Sequence, residues 1–207
     1  GEITLARAGL TGLSDGSRGI VAGGSTGSVS DVIDYFNMAT IGNASDYGNL
    51  ATTTNGVAGS SNGSRGVFGG GWSGAFSNVM DYITIASTGD ATDFGNLTQA
   101  RQGGLAGASS DTRGVFGGGY TPTLLNVIEY VTVTTAANAS DFGDLTTGLK
   151  SPAGCASATR GVFGGGRDPS NSNVMEYITT ASTGDVTDFG NLTDARAYLA
   201  GFSSAVR

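Results

Sequence analysis

Apolar residues in this chain come in short bursts separated by glycine and small polar residues, and no stretch sustains the 3.6-residue apolar period of a helix. Arg65–Phe68, RGVF, is a brief apolar run stopped by three glycines. Asn78–Ala86, NVMDYITIA, is rich in β-branched and aromatic residues, which suit a pleated surface packed on its faces. Ala91–Leu97, ATDFGNL, and the small-residue stretch Gly103–Ser110 are two further candidates. The linkers Thr40–Asn43, Ser87–Asp90 and Ser110–Thr112 carry turn chemistry, since glycine supplies positive φ and Asn, Asp and Ser bond the local backbone. The pattern predicts strands throughout.

The bursts recur. RGVFGGG stands at Arg65–Gly71, Arg113–Gly119 and Arg160–Gly166, with the looser RGIVAGG at Arg18–Gly24. Counting the terminal Arg207, the opening arginines are spaced by 47, 48, 47 and 47 residues. Residues 1–207 therefore read as one repeat domain. Its units run over about 1–47, 48–94, 95–142 and 143–189, with a partial fifth at 190–207. Short strands repeated at this period predict an all-β propeller, one sheet per unit, with strands a to d counted outward from the hub. The surplus terminal strands suggest part of a larger ring within a longer protein. Pairing with another copy, or an open arc in an assembly, are the alternatives.

The repeated residues resemble the kelch repeat. A di-glycine closes a strand at Gly23-Gly24, Gly70-Gly71, Gly118-Gly119 and Gly165-Gly166. A tyrosine follows at Tyr35, Tyr82, Tyr130 and Tyr177, then an aromatic at Tyr47, Phe94, Phe142 and Phe189, where a kelch unit usually has tryptophan. The closing arginine survives at Arg7, Arg101 and Arg196 but is replaced at Thr54 and Leu149. The Thr/Ser/Gly/Ala-rich phrasing is similar to kelch-like repeats in virion and tail-appendage proteins of tailed bacteriophages, marine ones especially. That resemblance implies a β-propeller and a location in the virion.

The glycine run could cradle phosphate, but it leads into a loop and another strand rather than a helix N-terminus, and no lysine stands near it. A ligand loop also has no reason to recur in every unit, so the glycines read as scaffold. The same reasoning makes Arg65, Arg113 and Arg160 on one strand, with Asp81, Glu129 and Glu176 on the next, structural charges in inter-strand or inter-sheet ion pairs or Asx-type turns. Tyr82, Tyr130 and Tyr177 are expected to pack between sheets.

Composition narrows the function classes. The net charge is −7 and Lys150 is the only lysine, so there is no basic stripe for nucleic acid. No apolar run is long enough for a transmembrane helix, so membrane insertion is not expected. Cys155 is alone, which leaves no internal disulfide and no paired thiols for zinc; no metal and no cofactor are expected. The chain has no histidine for a kelch-type copper oxidase. A glycan hydrolase needs two acids in distinct environments, and Asp168 has no evident partner. The chain is therefore read as non-enzymatic.

Function on a repeat scaffold is expected where the units differ. The hexapeptide after each glycine run keeps its length while its chemistry changes: STGSVS (Ser25–Ser30), WSGAFS (Trp72–Ser77), YTPTLL (Tyr120–Leu125) and RDPSNS (Arg167–Ser172). Antiparallel order places these b–c loops on one face with the variable d–a connections. Trp72, Phe76, Tyr120, Leu124, Arg167 and Asp168 are the candidate binding residues, exposed aromatic anchors beside directional polar groups. Drift on an unused face is the competing explanation. The expected role is a structural and binding module of a phage virion (tail fibre, tail appendage or capsid decoration). Its expected partners are other virion proteins, further copies of itself, and a host surface glycan or receptor. A glycan-degrading tail enzyme and a cellular kelch adaptor are the alternatives.

Overall fold

The apolar bursts supply strands that group into four four-stranded antiparallel sheets in a computed structural model that describes residues 1–102 and 106–201. The first sheet is β1 (Thr11–Ser14), β2 (Arg18–Ala22), β3 (Ser30–Asn37) and β4 (Ser45–Thr54). The second is β5 (Ala58–Ser61), β6 (Arg65–Gly69), β7 (Val79–Thr84) and β8 (Thr92–Asn96). The third is β9 (Ala106–Ser109), β10 (Arg113–Gly117), β11 (Val127–Thr132) and β12 (Ser140–Asp144). The fourth is β13 (Ala153–Ala156), β14 (Arg160–Gly164), β17 (Val174–Thr179) and β18 (Thr187–Asn191), with a small hairpin, β15 (Arg167–Asp168) and β16 (Ser170–Asn171), in its central loop. Of the small-residue candidate at 103–110, residues 103–105 lie outside the described residues; the rest contains β9.

Strands pair in chain order within every sheet, so each junction is a local turn. The first turn of each sheet is held by a side chain: the amides of Arg18, Arg65, Arg113 and Arg160 donate to Asp15, Asn62, Ser110 and Ser157. The second strand ends at the di-glycine because both residues take positive φ, +74° and +104° at Gly70 and Gly71. A Cβ on Gly71 would overlap Thr54 Oγ1, and its N–H donates to the Arg101 carbonyl at 2.8 Å. The glycines are where one sheet's turn meets the chain leading to the next, as expected of scaffold.

Successive sheets pack face to face across apolar layers. Ile33 and Tyr47 of the first sheet meet Phe68 and Ile83 of the second. Met80 and Phe94 then meet Phe116 and Val131, and Ile128 and Phe142 meet Phe163 and Ile178. The first strands of the four sheets, β1, β5, β9 and β13, jointly line a cavity of about 480 Å³. Glycines let these strands approach: a Cβ on Gly107 would overlap the Gly59 carbonyl. Cys155 lies on β13 in this lining, and burial pushes its thiol pKa up, away from the reactive thiolate.

Candidate functional site

All four hexapeptides share one frame. The amides of Ser30, Ser77, Leu125 and Ser172 close them by donating to the carbonyls of Gly24, Gly71, Gly119 and Gly166, at 2.8–3.0 Å. This bond fixes the length while leaving the side chains free to differ. The residue opening each loop then pairs through its backbone with the connection that enters the same sheet. Trp72 exchanges bonds with Asn55 at 2.9 and 3.1 Å, Tyr120 with Gln102 at 2.7 and 2.9 Å, and Arg167 with Lys150 at 2.9 and 3.3 Å. The two variable sets therefore do lie on one face.

Three of the candidate residues form a continuous row. The Trp72 and Phe76 rings sit edge to face, 5.3 Å between centroids, and Phe76 meets Tyr120 in the same way at 5.8 Å. The row thus spans the central loops of the second and third sheets. Lys150 Nζ extends it, 5.3 Å from the Tyr120 ring centroid. These aromatics were expected to be exposed, and instead are half-buried, because edge-to-face packing hides part of each ring against its neighbour. What reaches solvent is an apolar ridge with a cation at one end.

Leu124 lies half-buried beside the row, in a backbone bridge with Tyr120. Arg167 and Asp168 are apart from it, on the exposed β15–β16 hairpin, where Arg167 Nε donates to the Pro169 carbonyl at 2.9 Å. Lys150 joins the two groups, since its backbone pairs with Arg167 while its ammonium covers Tyr120. Sequence reasoning missed Lys150. Its position as the chain's sole lysine, in a connection of the variable set, was the available signal.

The repeated charges pair differently from the expected pattern. Arg65 faces Thr84 across the sheet and Asp81 faces Phe68, so arginine and acid of one unit do not meet. Arg65, Arg113 and Arg160 lie over the rings of Tyr82, Tyr130 and Tyr177 at 4.2–4.5 Å. Arg65 and Arg113 also donate to the Val133 and Thr180 carbonyls of the following sheet, at 3.1 and 2.9 Å. The acids are aimed instead at the preceding connection, and a register shift beside each of Asp34, Asp81, Glu129 and Glu176 does the aiming. Asp34 accepts from Thr4 and, at 2.9 Å, from Arg7; Glu129 accepts from Thr98 and Arg101. Arg101–Glu129 ties the connection leaving the second sheet to the third, and Arg7–Asp34 holds the segment that enters the first, with the closing arginine as donor in both.

Where Thr54 replaces that arginine, Asp81 keeps only the Ala51 amide at 3.0 Å, and Asp81 Oδ1 and Thr54 Oγ1 are buried without partners. Burial pushes the Asp81 pKa up. The stability tied to its proton is therefore full below the ordinary carboxylate range and is lost as pH rises through the raised value. Asp81→Asn should remove that loss and raise Tm at neutral pH by about 2–4 °C. Melting curves from about pH 4 to 7 check this, the variant gaining most at the upper end.

Among the described residues no three His, Cys, Asp or Glu side chains converge as metal ligands. No protein-family model matches the chain, and no curated protein matches it.

Proposed function

We propose that this chain is a non-enzymatic structural and binding module of a phage virion, with its sheets serving as kelch-like propeller blades and the b–c loop face contacting a host surface glycan or receptor. The observation that carries the reading is the Trp72–Phe76–Tyr120 row with Lys150 at its end. An apolar ridge assembled from two different sheets, on the one face where the units diverge, is not needed to hold either sheet together. Half-buried aromatics with a neighbouring cation suit a sugar ring or a peptide side chain, giving contact area at little entropic expense. The face-to-face stacking and the shared lining of β1, β5, β9 and β13 support the blade arrangement.

The test is binding to a panel of immobilised bacterial surface polysaccharides and to whole cells. Trp72→Ala and Tyr120→Ala should each lower affinity by roughly tenfold or more while leaving the far-UV spectrum unchanged. Affinity unchanged in both variants would remove the loop face as the contact. Release of reducing sugar would move the reading to a glycan-cleaving enzyme.

A further inference from the structure

The outward face of the fourth sheet presents, uncovered by the described residues, the groups with which the first three sheets hold their successors. Gly48, Gly95 and Gly143 each lie against a turn of the next sheet, at Gly89, Ala137 and Gly184, whereas the Cβ direction of Gly190 is open. Phe94 and Phe142 are each 2 % exposed, but Phe189 is 48 % exposed. Arg18, Arg65 and Arg113 donate to carbonyls one sheet on, while Arg160 only covers its own Tyr177. Thr98 and Arg101 close on Glu129; their counterparts Thr193 and Arg196 are exposed, Arg196 pairing at 3.0 Å with Asp194 two residues before it.

We infer that this face docks a strand pair of the same repeat design: a second and third strand without a first, the third carrying an Asp or Glu that takes Thr193 and Arg196. The chemistry of the occupant follows from the built interfaces. Its carboxylate pairs with Arg196 as Glu129 does with Arg101, and a turn carbonyl accepts from Arg160 as Val133 does from Arg65. The first strand is excluded because this chain itself approaches that position: a Cβ on Gly201 would overlap the Gly154 carbonyl, as one on Gly107 would overlap that of Gly59, and the Tyr198 amide donates to the Ser151 carbonyl at 3.2 Å. This also argues against a second copy of the chain. Its first sheet would bring β1 into that same place, and its Asp34 is already held, with no side-chain exposure, by Arg7 and Thr4.

The experiment extends the chain beyond Arg207 with a copy of Gly114–Val133, which is such a strand pair with its Glu129. The extended chain should melt roughly 5 °C higher, and amide exchange over Phe189–Arg196 should slow at least tenfold. Both gains should be lost on Arg196→Ala or on Glu129→Gln in the appended copy, whereas Arg196→Ala in the 207-residue chain should leave Tm unchanged. Because an extension can fail to fold, the peptide Arg113–Val133 is also added in trans and exchange over Phe189–Arg196 is measured on the unaltered chain. Absence of protection in both formats would overturn the inference. So would reversible self-association of the 207-residue chain abolished by Arg196→Ala, which would make a second copy the occupant.

Discussion

Replacing Arg101 with alanine is expected to cost about 3–5 kcal/mol, because it leaves a buried carboxylate without its counter-charge. Both side chains of the Arg101–Glu129 pair are fully buried. Arg101 also donates to the Gly118 and Val127 carbonyls at 3.0 and 3.1 Å, so one guanidinium satisfies acceptors on both strands β10 and β11 or their ends. Arg101→Leu should cost less, since Leu149 stands at the equivalent place before the fourth sheet while Thr146 alone holds Glu176. Burial pushes the Glu129 pKa up, and Arg101 and the Thr98 amide oppose it; loss of the arginine removes the larger opposing influence. A raised carboxyl pKa favours the folded state below the ordinary range, and that advantage disappears as pH climbs through the raised value. The Arg101→Ala deficit should therefore be smallest in acid and largest at neutral pH, read from denaturant midpoints at about pH 4.5 and 7. An equal deficit at both would mean that lost packing, not the stranded charge, dominates.

Phe142→Ala should destabilise the chain by about 3–5 kcal/mol, while Phe189→Ala should cost well under half as much. The two residues occupy the same repeat position and make the same edge-to-face contact with a tyrosine, at 5.8 and 6.0 Å. Phe142 is sealed between the third and fourth sheets at 2 % exposure, and Phe189 is 48 % exposed on the open face of the fourth. Truncation of the first leaves a cavity between two rigid sheets; truncation of the second leaves a surface that solvent fills. Thermal melts of the two variants, side by side, separate the contribution of the tyrosine contact from that of the covering sheet. Equal losses would show that the tyrosine contact, not the covering sheet, carries the stabilisation.

The candidate face was readable because a repeat supplies its own control. Where the units agree, as at RGVFGGG, agreement reports packing; where they differ at constant length, as in the four hexapeptides, side chains are free of it. That argument selected Trp72, Phe76 and Tyr120, which the fold brings together, and also Arg167 and Asp168, which it places on a separate hairpin. Variability identifies a face but contains no distances. Lys150 was not among the candidate binding residues because its contact with Tyr120 crosses from a connection to a loop, a proximity that comes with the backbone pair Lys150–Arg167.

The repeat period, the strand character of each unit, the turns and the structural role of the glycines followed from the amino-acid order alone, because these depend on local conformational preference and on periodicity. The partners of the charges did not. Asp81, Glu129 and Glu176 are strand neighbours of Arg65, Arg113 and Arg160 in the one-dimensional pattern, yet a register shift of a single residue turns each acid toward the preceding connection. Which surfaces are covered was likewise a tertiary outcome: Phe142 and Phe189 have nearly the same sequence context, and only the presence of a following sheet makes one core and the other surface. Burial depends on what lies opposite, and a residue's own neighbours in the chain do not specify that.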